Sequence, residues 1–208
     1  GGGFDDPTKA LGPATGASTD VVSLGNAGSI TLGFDIPMAN GVGADFAGFE
    51  NGFFVGALFF SELAYVEVST DGIQWARFPS VSLTTLLSEP FGSDFGLQDP
   101  TDLHNLAGKH SAGFGTPFDL DDLVGSANVM SGAVDLDNLR FVRLIDVVGD
   151  GSTVDSLGNP ILDPFPTSFP SGGFDLDAVG VRNTSASVPE PGAAALWGIG
   201  SALLVLNW

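Results

Sequence analysis

Asp146, Asp150, Asp155 and Asp163 crowd a segment punctuated by Gly149, Gly151 and Gly158. Carboxylates on a turning loop, with amide and backbone carbonyls beside them, are the donors a hard cation such as Ca²⁺ takes, roughly six to eight oxygens at a time. The spacing is not that of an EF-hand, whose loop closes on a glutamate this segment lacks. A second group of acids is Asp45 and Glu50, next to Asn51, together with Asp175 and Asp177. The last two stand at i and i+2 and so project from one face of a strand. Carboxylates carried on a strand of a sandwich need solvent, a metal or hydrogen-bond donors. The second group is therefore expected to meet around a cation, or around Arg182 or Arg143. These eight acids are the metal-ligand candidates, and Ca²⁺ is the expected cofactor. Other chemistry is less well supplied. His104 and His110 match no common helical ligand spacing, and no serine in a nucleophile-elbow context accompanies them. Acids are so numerous that pairs suited to glycoside hydrolysis arise without selection for it. No enzymatic activity is expected.

Charge narrows the partners. Twenty-five acids face six bases, a formal −19 at pH 7. Such a surface repels DNA, RNA and anionic lipid, so no nucleic-acid partner is expected. The absence of cysteine excludes disulfides, thiol catalysis and cysteine-based zinc sites.

The elements that must position these acids read as strands. Glycine (30) and proline (13) are abundant, which suits many short strands joined by turns. Residues 29–34 alternate and place Ile30, Leu32 and Phe34 on one face. Residues 44–49 form another strand. Residues 63–69 alternate with Ala64, Val66 and Val68 inward, and Asp71-Gly72 turns the chain into a returning strand at 73–78. Residues 139–147 and 174–181 are the strongest later strands. Asp99-Pro100 caps a short helix predicted to end near Gly108, and Thr116-Pro117-Phe118-Asp119 opens a second. Phe53, Phe54, Phe59 and Phe60 read as core. The fold expected is all-β: an antiparallel β-sandwich of jelly-roll type over residues 1–182, with one or two short helices. A linker at 183–187 and an apolar C-terminal helix within 188–208 follow.

The linker leads into Val188-Pro189-Glu190-Pro191, and from Gly192 to Trp208 the chain carries no charge. Pro-Glu-Pro cannot lie inside a helix, because each proline lacks a donor and disfavours helix at the residue before it. The apolar stretch, as a helix, reaches roughly 25 Å, against a hydrocarbon core of about 30 Å. This ending resembles the PEP-CTERM sorting signal of exported bacterial proteins. The resemblance implies export, a sorting protease of exosortase type as partner, membrane contact through the tail, and residence at the cell surface or in the extracellular matrix. The family pattern closes in Arg or Lys, whereas this sequence closes in Asn207-Trp208. Gly1-Gly2-Gly3-Phe4 carries no signal-peptide pattern, so an export leader is expected to have been removed.

The body carries a second resemblance. The stretch Tyr65-Val66-Glu67-Val68-Ser69-Thr70-Asp71-Gly72-Ile73-Gln74-Trp75 is similar to a hairpin of discoidin-like, galactose-binding-like domains. Phe174-Asp175-Leu176-Asp177-Ala178-Val179 is similar to their final strand. Gly43-Ala44-Asp45-Phe46, Phe49-Glu50-Asn51-Gly52, Leu106-Ala107-Gly108-Lys109-His110 and Gly115-Thr116-Pro117-Phe118-Asp119-Leu120 resemble segments of a group of exported bacterial surface proteins. That likeness implies a fold and a location, with no activity to carry over. The function expected is that of a calcium-stabilised structural or adhesive protein of the surface or matrix. Two alternatives stand beside it: a self-assembling filament subunit that packs its apolar tail against copies of itself, and an exopolysaccharide-binding module.

Overall fold

Alternating apolar residues become strands largely where the sequence places them. The computed structural model describes residues 3–87, 96–164 and 172–185. In chain order its strands are β1 Val22–Ser23, β2 Ser29–Met38, β3 Phe46–Glu50, β4 Phe53–Val55, β5 Leu58–Phe60, β6 Ala64–Ser69, β7 Ala76–Arg77, β8 Val81–Ser82, β9 Leu103–His104, β10 Thr116–Phe118, β11 Leu139–Asp146, β12 Asp150–Val154, β13 Pro160–Leu162 and β14 Asp175–Val181. Among the described residues one short α-helix, α1, spans Ala127–Met130.

Two four-stranded sheets carry the body, in the orders β1-β14-β3-β10 and β2-β11-β6-β7. Every pairing in them is antiparallel. One apolar core takes Val22, Phe46, Phe118, Leu176 and Val179 from the first sheet and Leu32, Val66, Val68, Val142 and Leu144 from the second. Ile30 and Phe34 pack against it from β2, as the alternation predicts. Phe46, Phe78 and Phe118 form a ring cluster within it, with centroids 5.0 to 5.8 Å apart. Burial of each such ring stabilises by about 1.5–3 kcal/mol.

Strand β6 is buried along its whole length. Ala64, Val66 and Val68 face the main core, while Tyr65 joins a smaller cluster with Leu63, Leu103, Leu106, Val147 and Ile161. Period-two geometry puts Glu67 on the same side as Tyr65. Glu67 is made tolerable there by two cations: Arg77 Nε donates to one carboxylate oxygen at 2.7 Å, and Arg143 Nε donates to the other at 2.7 Å.

Local structure departs from the sequence reading at three places. Strand β7 begins at Ala76, not directly after Asp71-Gly72. Asp71 accepts hydrogen bonds from the amides of Ile73 and Gln74, and Ser69 Oγ from that of Gly72, so side chains occupy the donors a tight hairpin would use. The helix predicted after Asp99 is a single 3₁₀ turn, Pro100–Asp102, capped by Asp99. It stops because Leu103 pairs with Ser82 in the β8–β9 ladder. Of the phenylalanines read as core, Phe59 and Phe60 are buried, but Phe53 and Phe54 stand exposed on the β4–β5 hairpin. Asp119 does cap a turn, the 3₁₀ helix Leu120–Leu123.

The sorting motif Val188-Pro189-Glu190-Pro191 and the apolar stretch after it lie outside the described residues. Among the described residues no helix is long and apolar enough to cross a membrane.

Candidate functional site

Strand ends converge on a buried group of carboxylates. Glu50 ends β3, Asp146 ends β11, Asp163 follows β13, Asp175 opens β14, and Glu62 stands just before β6. Their exposures are 2, 3, 2, 6 and 4 per cent respectively. Backbone hydrogen bonds tie the ends together. The Leu63 amide donates to Asp163 at 2.5 Å, and the Val147 amide donates to the Leu63 carbonyl at 2.9 Å. Asp146 accepts from the amides of Phe174 at 2.7 Å and Ala27 at 2.9 Å. Asp175 accepts from the Ser23 hydroxyl and from Asn51 Nδ2.

Two glycines make this approach possible. Gly108 has φ +94°, and a Cβ there would lie 1.8 Å from the Glu62 carbonyl oxygen. A Cβ on Gly149 would lie 1.7 Å from the Asp163 Cβ. No side-chain-bearing residue fits either place without moving an acid.

Two glutamates in this group lack compensation. Glu50 Oε2 accepts from the Gly52 amide at 2.6 Å, while the buried Oε1 has no hydrogen-bond partner. Burial pushes the Glu50 carboxyl well up, the Gly52 bond pulls it partly back, and the charges of Asp175 and Asp163 push it further. Glu62 is pushed well up by burial and then by Asp175, Asp163, Glu50 and Asp146. Burial raises Asp146 to about 6 against the pull of its two amide bonds, and it raises Asp175 despite Ser23 and Asn51. Among the described residues no lysine or arginine forms an ion pair with any of these four. Glu67, at the same depth, has two arginines.

The eight acids selected from sequence therefore part company. Glu50, Asp146, Asp163 and Asp175 come together across the two groups the sequence suggested. Asp45, Asp150, Asp155 and Asp177 do not join them, because amide donors hold each elsewhere. Asp45 accepts from the amides of Gly41 and Leu120, both at 2.8 Å, and from Asn183 Nδ2 at 2.7 Å. Asp177 accepts from the amides of Thr15 and Gly16. Asp155 accepts from the amides of Ser82, Leu157 and Asn159 and from Asn159 Nδ2. Burial acts to raise Asp155, and these bonds outweigh it, leaving the carboxyl below its ordinary value. Asp150 is exposed and turns onto the Ser152 amide at 2.8 Å. Neither arginine considered as a counter-charge reaches the cluster. Arg143 goes to Glu67, and Arg182 donates to the carbonyls of Ala44 and Asp45.

Glu62 escaped the sequence reading. Its one signal was a charged residue wedged between Phe60-Ser61 and Leu63 where a buried strand begins. Among the described residues, no three acid or histidine side chains already stand in a metal-holding arrangement. His104 lies exposed, 3.8 Å from Asp122. Apart from the cluster, a cleft of about 390 Å³ is lined by Ser82, Leu83, Thr84, Thr85, Asn159, Pro160 and Leu162, with hydroxyl, amide and aliphatic walls.

No family model matches the chain, and no curated protein or solved structure matches it.

Proposed function

We propose that this chain is a structural or adhesive module displayed at a bacterial cell surface or in its extracellular matrix. An acidic, cysteine-free β domain of jelly-roll type is exported, then handed to a sorting protease of exosortase type at Val188-Pro189-Glu190-Pro191. Two antiparallel sheets that share one apolar core support the jelly-roll part of this reading.

The observation that carries the proposal is how the chain leaves the domain. Beyond β14 it is fastened to the body up to the last described residue. The amides of Arg182 and Asn183 donate to the Asp45 carbonyl, and Asn183 Nδ2 donates to the Asp45 carboxylate. Thr184 bridges to Met38, and the Ser185 amide donates to the Pro37 carbonyl at 2.9 Å. A tail held by the membrane or by a covalent anchor would pull on this clamp and spread the load into β2 and β3. That suits a domain presented through its C-terminal side.

Intact mass of protein taken from the native cell surface, with electron microscopy of the same material, tests the proposal. A mass ending near Pro191 on dispersed particles supports sorting and display. Full-length chains in ordered fibres would replace this reading with the filament subunit. Recovery from the cytoplasm alone would overturn both.

A further inference from the structure

We infer that Glu50 and Glu62, with Asp163 and Asp175 beside them, hold one Ca²⁺ ion where the ends of β3, β6, β13 and β14 meet. The inference stands on how this chain treats its other buried acids. Glu67 has two arginines. Asp45, Asp155 and Asp177 have N–H donors on both carboxylate oxygens or on several sides. Among the described residues, it is at the convergence of strand ends that the fold buries acid after acid, with no lysine or arginine ion-paired to Glu50, Glu62, Asp146 or Asp175. A buried, unpaired carboxylate costs several kcal/mol unless it is neutralised or paired.

The orphaned oxygen decides what should fill the place. Glu50 Oε1 is buried without a hydrogen-bond partner. Glu62 is surrounded by apolar burial and by the charges of Asp175, Asp163, Glu50 and Asp146. Glu50 and Glu62 are the two longest acid side chains of the group, and Glu50 retains an oxygen that the fold has not used. Asp146, by contrast, has an amide donor on each oxygen, and Asp175 has a hydroxyl on one and a side-chain amide on the other. A lysine or arginine from another molecule cannot reach groups this deeply covered. A divalent cation can, and it satisfies several oxygens at once.

The donor set favours calcium over magnesium. All the donors are oxygen, they come from several loops and strand ends, and carboxylates dominate. Ca²⁺ accepts six to eight such ligands in irregular geometry, while Mg²⁺ keeps its waters and demands a near-ideal octahedron. Among the described residues no three of these side chains already stand in a metal-holding arrangement. The proposed site requires the Glu50 and Glu62 side chains to rotate toward Asp163 and Asp175. The assignment goes beyond the display function and does not depend on where the protein resides.

Calorimetric titration of the chelator-treated full chain with CaCl₂, paired with thermal unfolding, tests it. The expected result is one ion bound per chain, half-saturating at roughly 0.1–1 mM as in extracellular calcium modules, with a rise in Tm. Glu50→Gln and Glu62→Gln should each weaken binding at least tenfold, while the exposed Asp150→Asn should leave it unchanged. Should either glutamine variant fail to fold, the wild-type titration repeated in excess MgCl₂ decides. One ion that still binds sustains the site. The absence of binding heat and of any Tm shift would overturn it, and so would several weak ions whose number falls in Asp150→Asn. Neither negative result touches the surface-display reading, which rests on mass and location.

Discussion

The Arg143 guanidinium lies 4.0 Å from the centre of the Trp75 ring while its nitrogens reach the buried Glu67 carboxylate. Arg77 mirrors this arrangement from the next strand. It binds the other Glu67 oxygen and sits 4.6 Å from the centre of the Tyr65 ring. Two arginines, each backed by an aromatic face, thus neutralise one buried acid across β11, β6 and β7. The pairing of Arg143 with Glu67 is also the register of the β11–β6 ladder, where the two residues stand directly opposite. Charge compensation and strand register are one structural fact here.

Arg143→Ala should destabilise the protein by about 2 kcal/mol. The cation–π contact contributes about 0.5–2 kcal/mol, and part of a buried ion pair is lost with it, though Arg77 still neutralises Glu67. Arg143→Lys should recover less than half of that loss, because an ammonium cannot lie flat on Trp75 and donate in the same plane. Urea denaturation monitored by tryptophan fluorescence reads both variants. Equal stability of Arg143→Ala and wild type would remove this network from the account.

The chelated protein should be more stable near pH 5 than near pH 8. Asp146 has an ordinary value of 3.8 and is raised to about 6 in the fold. Between those values the folded chain keeps a proton that the unfolded chain releases. Stability is therefore fully present below the lower value and is lost as pH rises through the upper one. Glu50, Glu62 and Asp175 are raised as well and act in the same direction. Asp155 acts oppositely, since its lowered carboxyl contributes above its unfolded value and that contribution goes only when pH falls below it. For Asp146 alone the change between pH 5 and pH 8 is on the order of 1–1.5 kcal/mol, because part of its contribution is already gone at pH 5. Urea midpoints in chelator at the two pH values measure it, and a midpoint that rises from pH 5 to pH 8 would contradict the cluster's electrostatics.

Much of this architecture was legible because β-strands advertise themselves by period two. Ile30, Leu32 and Phe34 on β2 follow from alternation, and the runs that form β3, β11 and β14 are also legible as strands. Capping was legible at Asp99 and Asp119, where an acid two residues ahead of a free amide has one obvious use. The site was only half legible. Sequence neighbourhood put Asp146, Asp150, Asp155 and Asp163 together, but a carboxylate goes to the nearest free amide. Asp150 and Asp155 found theirs within a few residues along the chain. The meeting of Glu50 with Asp163 and Asp175 depends on which strands become neighbours, such as β14 beside β3, and no local pattern encodes that order. Asp175 and Asp177 were expected to share a task from their spacing. The β14 register against β3 shifts between Leu176 and Ala178, and the two acids serve different loops.

Gly108→Ala should cost about 3 kcal/mol or more and weaken the proposed calcium binding with it. The residue adopts φ +94°, which an alanine resists, and the added methyl would collide with the Glu62 carbonyl. Relief of that collision moves the backbone that carries Glu62. Thermal unfolding should show a Tm lower by roughly 6–12 °C. A folded Gly108→Ala chain with wild-type calcium affinity would show that Glu62 is not a ligand.

Asp45→Asn should loosen the exit of the chain without disturbing the two sheets. Asp45 Oδ1 accepts from the Gly41 amide and Asn183 Nδ2, and Oδ2 accepts from the Leu120 amide. Three donors converge, so replacing either oxygen with NH₂ sets a donor against a donor in a place that is fully buried. The cost should be about 2–4 kcal/mol, the loss of one buried charge-assisted bond and the stranding of its partner. Its location is the informative part. The backbone carbonyl of Asp45 still accepts from Arg182 and Asn183, so the clamp should fray from its outer end first. Amide hydrogen exchange should speed up at Ser185, whose bond to Pro37 lies furthest out, before it changes within β11, whose ladders to β2 and β6 do not involve Asp45. If the proposed sorting protease needs Val188-Pro189-Glu190-Pro191 held close to a rigid body, the variant should be processed more slowly in its native host while keeping its sheets. Uniform exchange across the domain would instead make Asp45 a residue of global stability, and the exit clamp would lose its separate meaning.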